Sequence, residues 1–290
     1  MWLLDCKNLE KPGSINRHAP PALYGSACTR CTIPDVAISM TIAWLLAISL
    51  VVGILIGAVG IGGILLIPAL NILGGLTIQE AMATALFTFI FTGLIGAFSF
   101  QRHGSINWSI TVPLCIGAAV FGFFGAWANS KIDAQGLSLI LASIIVFSGI
   151  YTVLTNKRTK SAIFQDWPRL QQALLFGIGA VVGFGSGLTG VGGPALSVPI
   201  MILLGFPVLS TIGASQVIQI LAAISGTAGN LQYGSINYKF MAICTIFEVI
   251  GVVFGARIVH AVNAQSLRGG VGLLCILVGA GLMLRTLGFL

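Results

Sequence analysis

Residues 53–63 read GILIGAVGIGG and residues 183–193 read GFGSGLTGVGG. Gly53, Gly57, Gly60, Gly62 and Gly63 thus recur as Gly183, Gly187, Gly190, Gly192 and Gly193, at an offset of 130. Both stretches sit inside long apolar runs, where each glycine weakens a helix interior by about 1 kcal/mol relative to alanine. The first copy therefore predicts a helix from about Trp44 to Gly57, an unwound stretch from Gly60 to Gly63, and a short helix from Ile64. The second copy predicts the same break, with its short helix starting at Pro194, because proline suits the first helical position.

The register extends outward from these stretches. One inserted residue pairs Pro68 with Pro199 and Gly74 with Gly205. Gly104, Ser105, Ile106 and Asn107 recur as Gly234, Ser235, Ile236 and Asn237, and Gly125 and Ala126 recur as Gly255 and Ala256. Self-similarity over such a length reads as an internal duplication.

Composition says in what solvent the duplicated unit lives. Of 290 residues 57% are hydrophobic and 7% charged, against about 25% charged in soluble domains; the mean hydropathy is +1.02. A soluble globular protein is excluded. The charges concentrate before residue 40 and in residues 155–171. A hydrocarbon core of about 30 Å takes roughly 20 apolar residues per helix. Eight apolar runs appear, near 42–74, 82–100, 106–128, 136–154, 173–204, 212–231, 238–261 and 269–288.

The expected fold is all-α and polytopic, with about eight transmembrane helices in two four-helix repeats, residues 40–155 and 172–290, joined by a cytoplasmic loop, 156–171. Four crossings per repeat make the repeats parallel, about an axis along the membrane normal. In that arrangement 11 of the 14 basic residues share one side, leaving Lys131, Arg257 and Arg268 opposite. If the first segment of each repeat were a hairpin returning to its own side, the count would be 7 against 7. The positive-inside rule favours eight spans, with both termini and the long loop cytoplasmic at a cell membrane. The net charge of +7 then reads as topology-setting loop charge, and no nucleic-acid partner is implied.

Unwound backbone at membrane depth is tolerated only where protein buries it or a cavity is lined, and the start of a half-helix offers free N–H groups to an anion. Gly60, Gly62, Gly63, Gly190, Gly192, Gly193 and Pro194 are the candidate substrate-binding residues on this ground. Gly53, Gly57, Gly183 and Gly187 read as close-packing positions of the small-xxx-small kind. Ser215 and Gln219 share a helix face, with Gln216 beside them, and their repeat mates are Thr84 and Thr88. That polar stripe reads equally as substrate contact and as hydrogen bonding between helices.

The pattern Gly53, Gly57, Val59, Gly60, Gly62, Gly63, Pro68, with its copy Gly183, Gly187, Gly190, Val191, Gly192, Gly193, Pro199, resembles the sulfite exporter TauE/SafE family over residues 40–290. The sequence departs from it at Ile64 and Pro194, where members often carry a third glycine. The resemblance implies a duplicated four-helix organisation and export or uptake of sulfur oxyanions or sulfonates such as sulfite. The expected function is a secondary transporter of a small anion by alternating access, with no cofactor and with a proton or ion as coupling partner.

Glu248 sits mid-span, where a carboxylate costs about 2.5–3.5 kcal/mol on insertion scales. It reads as a protonatable coupling residue or as a carboxyl satisfied by a neighbouring helix; its mate is Ala118. Arg257, on the opposite helix face, either snorkels to headgroups or lines the path as a cation. Asn107, Asn230 and Asn237 read as caps. Cys28 and Cys31 form one Cys-x-x-Cys pair, too little for a zinc site, and residues 1–39 read as an inert tail, cytoplasmic or preceding a natural start at Met40. An intramembrane enzyme is the competing class, yet Ser186 between two glycines has no base near it in sequence; a sensor or structural membrane protein is the other.

Overall fold

The computed structural model describes residues 35–60, 62–154, 168–233, 236–261 and 264–288. The tail with Cys28 and Cys31, most of the 156–171 connection and Gly234 with Ser235 lie outside the described residues. Ser39–Leu290 form one compact unit. Its helices are α1 (Asp35–Val59), a 3-10 turn (Gly62–Leu65), α2 (Leu66–Ile72), α3 (Ile78–Arg102), α4 (Trp108–Asn129), α5 (Ala134–Leu154), α6 (Pro168–Thr189), α7 (Pro194–Leu203), α8 (Val208–Tyr233), α9 (Tyr238–Ala261) and α10 (Ala264–Thr286). No strand occurs among the described residues.

Among the described residues six helices are long and apolar enough to cross a bilayer, within α3, α4, α5, α6, α8 and α9. Their outer faces are apolar as well. Ile116, Phe124, Phe147, Val181 and Phe254 are exposed, which places the hydrophobic surface where lipid rather than water would solvate it.

Local chemistry sets the helix ends. Thr77 Oγ1 accepts from the Glu80 backbone N–H at 3.3 Å while Glu80 Oε2 accepts from the Thr77 N–H at 3.1 Å, a reciprocal cap at the start of α3. Asn107 caps α4 through Ser109 N–H at 3.1 Å, and Asn237 caps α9 through Phe240 N–H at 3.3 Å. Asn230 is not a cap; it is buried within α8. The expected breaks are present, with α1 stopping at Val59, α6 at Thr189 and α7 beginning at Pro194; in the first half, however, Gly62 and Gly63 are not unwound but lie in a 3-10 turn, and α2 begins at Leu66 rather than Ile64.

The small residues bring backbones together in the register of the duplication. A Cβ added at Gly53 would fall on the backbone of Glu248, and one at Gly57 on that of Val252. At the same offset, Gly183 meets Ala118 and Gly187 meets Gly122. The first helix of each half therefore packs on the third full helix of the other, α1 on α9 and α6 on α4. Both pairs run parallel, since later residues of one helix meet later residues of the other.

The same reading gives the relative direction of the two halves. Thr84, near the start of α3, accepts a hydrogen bond from the backbone of Asn237, just beyond the end of α8. Gln219 of α8 reaches Phe89 and Thr92 of α3, and Gly213, near the start of α8, lies against Ser105 and Ile106, beyond the end of α3. Equivalent helices α3 and α8 thus run antiparallel, and the expectation of parallel repeats is corrected: the halves are inverted. The physical reason is the glycine break. α2 turns back toward the end from which α1 came, bringing Asn71 to Arg285 at the end of α10, and α7 turns back likewise. Each half then holds one hairpin and three crossing helices, an odd number that inverts the next half. The start of α1 and the end of α10 lie at one end of the bundle, and the end of α5 and start of α6 at the other. The expectation that the connection after α5 shares a side with the start of the membrane unit and the end of α10 fails with it.

Candidate functional site

The two glycine loops meet inside the bundle. A Cβ at Gly60 would lie 3.4 Å from Pro194 Cβ and from Ser215 Oγ, and one at Gly63 would lie 3.0 Å from the Val191 carbonyl oxygen. Phe89, buried on α3, stands between them: its ring is the nearest neighbour of both Gly63 and Gly192. Gly193 packs on Ile218 and Gln219 of α8.

The loop backbones have the conformations that the break requires. Gly60 and Gly190 have φ of +82° and +67°, and Gly192 has +83°, a region that residues with a Cβ enter at a cost of about 1–2 kcal/mol. Gly193 is right-handed, with φ −59° and ψ −42°, and leads directly into Pro194. Val191, Gly192 and Gly193 are buried. Among the described residues no acceptor is bonded to their N–H groups, although buried backbone donors are almost always paired. These residues and the 3-10 turn that starts at Gly62 come together where the two halves touch.

The polar stripe borders the same place. Gln219 Nε2 donates to the Phe89 carbonyl at 3.1 Å and to Thr92 Oγ1 at 2.9 Å, and Gln216 Nε2 donates to the Ile56 carbonyl at 3.2 Å. Ser215 Oγ donates to the Ile212 carbonyl and Thr88 Oγ1 to the Ala85 carbonyl, at 2.7 and 2.8 Å. These bonds hold helices and helix turns together. The side-chain oxygen of Gln216 is buried without a partner, beside Gly96. Sequence reasoning missed Phe89 and Thr92, which carry no motif; Ser49, by contrast, extends the Gly53 and Gly57 series one turn earlier and corresponds to Gly179.

Glu248 is fully buried. It stands beside Thr88 of α3 and Cys244 of its own helix, with Ser49 of α1 next to Cys244. Thr88 donates its hydroxyl proton to the Ala85 carbonyl, so toward the Glu248 carboxyl it offers its oxygen, an acceptor. Arg257 is not brought to this place: it is exposed in the last turns of α9.

A bundle of long apolar helices with an apolar exterior and polar groups gathered at central breaks defines a multi-pass membrane protein. Residues 45–282 match the family model described as Sulfite exporter TauE/SafE, and the chain belongs to that family. It is 27% identical over 235 residues to Probable membrane transporter protein YdhB of Bacillus subtilis, covering 78% of this chain and 94% of that protein. It is 28% identical to Probable membrane transporter protein YunE of the same organism, covering 75% and 88%. It is also 27% identical to Probable membrane transporter protein MJ0441 of Methanocaldococcus jannaschii, covering 68% and 74%. No solved structure matches the chain.

Proposed function

We propose that this member of a membrane-transporter family is a secondary transporter that moves a small anion, a sulfite, sulfonate or related sulfur oxyanion, between the two glycine loops. The observation that carries the reading is that Val191, Gly192 and Gly193, buried and with N–H groups unpaired among the described residues, lie in the loop that meets the equivalent break of the other half at Gly60 and Gly63. Fixed N–H donors and a helix start favour negative charge, and they do so without a buried lysine or arginine. The sulfur chemistry rests on membership of the sulfite exporter TauE/SafE family.

Inverted halves that meet at a midplane site support alternating access, in which one half rocks against the other and exposes the site to each face in turn. The residues proposed to contact the anion are Gly60, Gly62, Gly63, Gly190, Gly192, Gly193 and Pro194, with Gln219 and Thr84 holding the surrounding helices in register and Ser215 and Thr88 bonded within their own helices. Export is the proposed direction.

Uptake of radiolabelled sulfite into liposomes carrying the protein, competed with sulfonates, sulfate and carboxylates, tests the reading. Sulfur oxyanions should compete best. Gly192→Ala, which forces a Cβ toward Phe89 at a left-handed φ, should raise KM by about tenfold or more in protein that still elutes as a folded species. Equal competition by carboxylates would reject the substrate class, and an unchanged KM would move the site away from the loops.

A further inference from the structure

Glu248 is not part of the glycine loops, and its surroundings point to a separate role. It stands on α9 at a level where α1 packs backbone to backbone, since a Cβ at Gly53 would fall on the backbone of Glu248 itself. Its repeat mate, Ala118, makes the same contact with Gly183 and carries no carboxyl. The backbone contact is thus common to both halves, and only the second half carries an acid at that position.

The groups that face it are all neutral. On α1 it meets the Gly53 backbone, with Ser49 one turn away, and residues 43–59 of α1 include no charged side chain. On α3 it meets Thr88, while the charges of that helix, Glu80 and Arg102, are confined to its two ends. On α9 itself Cys244 lies one turn earlier, and Lys239, Arg257 and His260 stand near the ends; Arg257 is nine residues on, about 13 Å along the axis. A carboxylate without counter-charge, beside a hydroxyl that already donates elsewhere, is far costlier in such a place than a neutral carboxyl, which can donate to that hydroxyl oxygen.

We propose that Glu248 is a proton site that controls the packing of α9 against α3 and α1. This deepens the transport reading and rests on it for the coupling role. With its proton in place the carboxyl is neutral, the packing stays dry, and α1 seats on α9 through Gly53. When the O–H bond breaks and the proton passes to water, the carboxylate left behind requires water or donors, and the packing of α9 on α3 and α1 must open to admit them. Because α1 ends at the Gly60 loop, movement of α1 carries that loop relative to the Gly190 loop. A proton, rather than sodium, fits the surroundings: α1, α3 and α9 are unbroken helix here, so their carbonyls are engaged, whereas hard cations gather several oxygen ligands.

The test has one arm that needs no transport. Infrared spectra of the full chain in lipid bilayers, titrated from neutral to alkaline pH, should contain a protonated-carboxyl band that bleaches as pH rises and that Glu248→Gln removes. In the second arm, anion accumulation driven by a pH gradient should fall about tenfold or more in Glu248→Gln and recover in part in Glu248→Asp, which can still carry a proton. Wild-type spectra without a protonated carboxyl at neutral pH overturn the proposal, even should the glutamine variant fail to fold. Accumulation driven by a sodium gradient and indifferent to pH overturns it too. Wild-type protein that moves no anion of the panel, yet has the titrating band, counts against the transport reading and leaves the proton site standing.

Discussion

Gly190→Ala should abolish transport and lower the yield of folded protein, the largest effect of any alanine in the glycine loops. Two costs coincide there. The residue has φ +67°, worth about 1–2 kcal/mol to a side chain with a Cβ. The Cβ would also press on the backbone of Met82, which cannot rotate away as a side chain can, adding about 1–3 kcal/mol of overpacking. Gly60→Ala shares the first cost and not the second, because its nearest neighbours would be 3.4 Å away. Thermal unfolding in detergent should therefore rank wild type above Gly60→Ala and Gly60→Ala above Gly190→Ala. Equal stability of the two variants would mean that the approach of Gly190 to α3 is not maintained.

Gly57→Val and Gly187→Val should both destroy the fold, and by similar amounts. The two positions are equivalent in the duplication, and each places its Cβ against a carbonyl of the helix it packs on, Val252 for Gly57 and Gly122 for Gly187. A branched side chain would force the helices of each pair apart along their shared seam, where the close approach of backbones supplies the packing that drives association in lipid. Loss of the monodisperse peak in size-exclusion chromatography is the expected result for both. If only one is lost, the two seams are not equivalent in strength.

Much of this arrangement was legible in the sequence. The offset of 130 is reproduced contact by contact, from Gly53 with Glu248 and Gly183 with Ala118 outward. The breaks near Gly60 and Gly190 and the start of α7 at Pro194 follow from backbone propensities alone. The relative direction of the halves did not follow, for a physical reason: hydropathy records that a segment is apolar, and Gly60–Gly63 permits the chain either to continue across the membrane or to reverse. The charge count tipped the choice toward continuation, yet a charge count weighs loops and carries no information on what a buried break does. Glu248 was visible as an anomaly, but the contacts that give it meaning, Gly53 from α1 and Thr88 from α3, come from helices far away in the chain. Phe89 was invisible, since nothing marks it among the other phenylalanines except the two loops it separates.

The central claim is that two inverted halves meet at their glycine loops, and membrane topology tests it most directly. Single cysteines, one in the connection between α5 and α6 and one after α10, would be labelled in intact and permeabilised cells with a membrane-impermeant maleimide, in a chain otherwise free of cysteine. The inverted arrangement predicts that the two sites react from opposite faces of the membrane; labelling of both from the same face would contradict it.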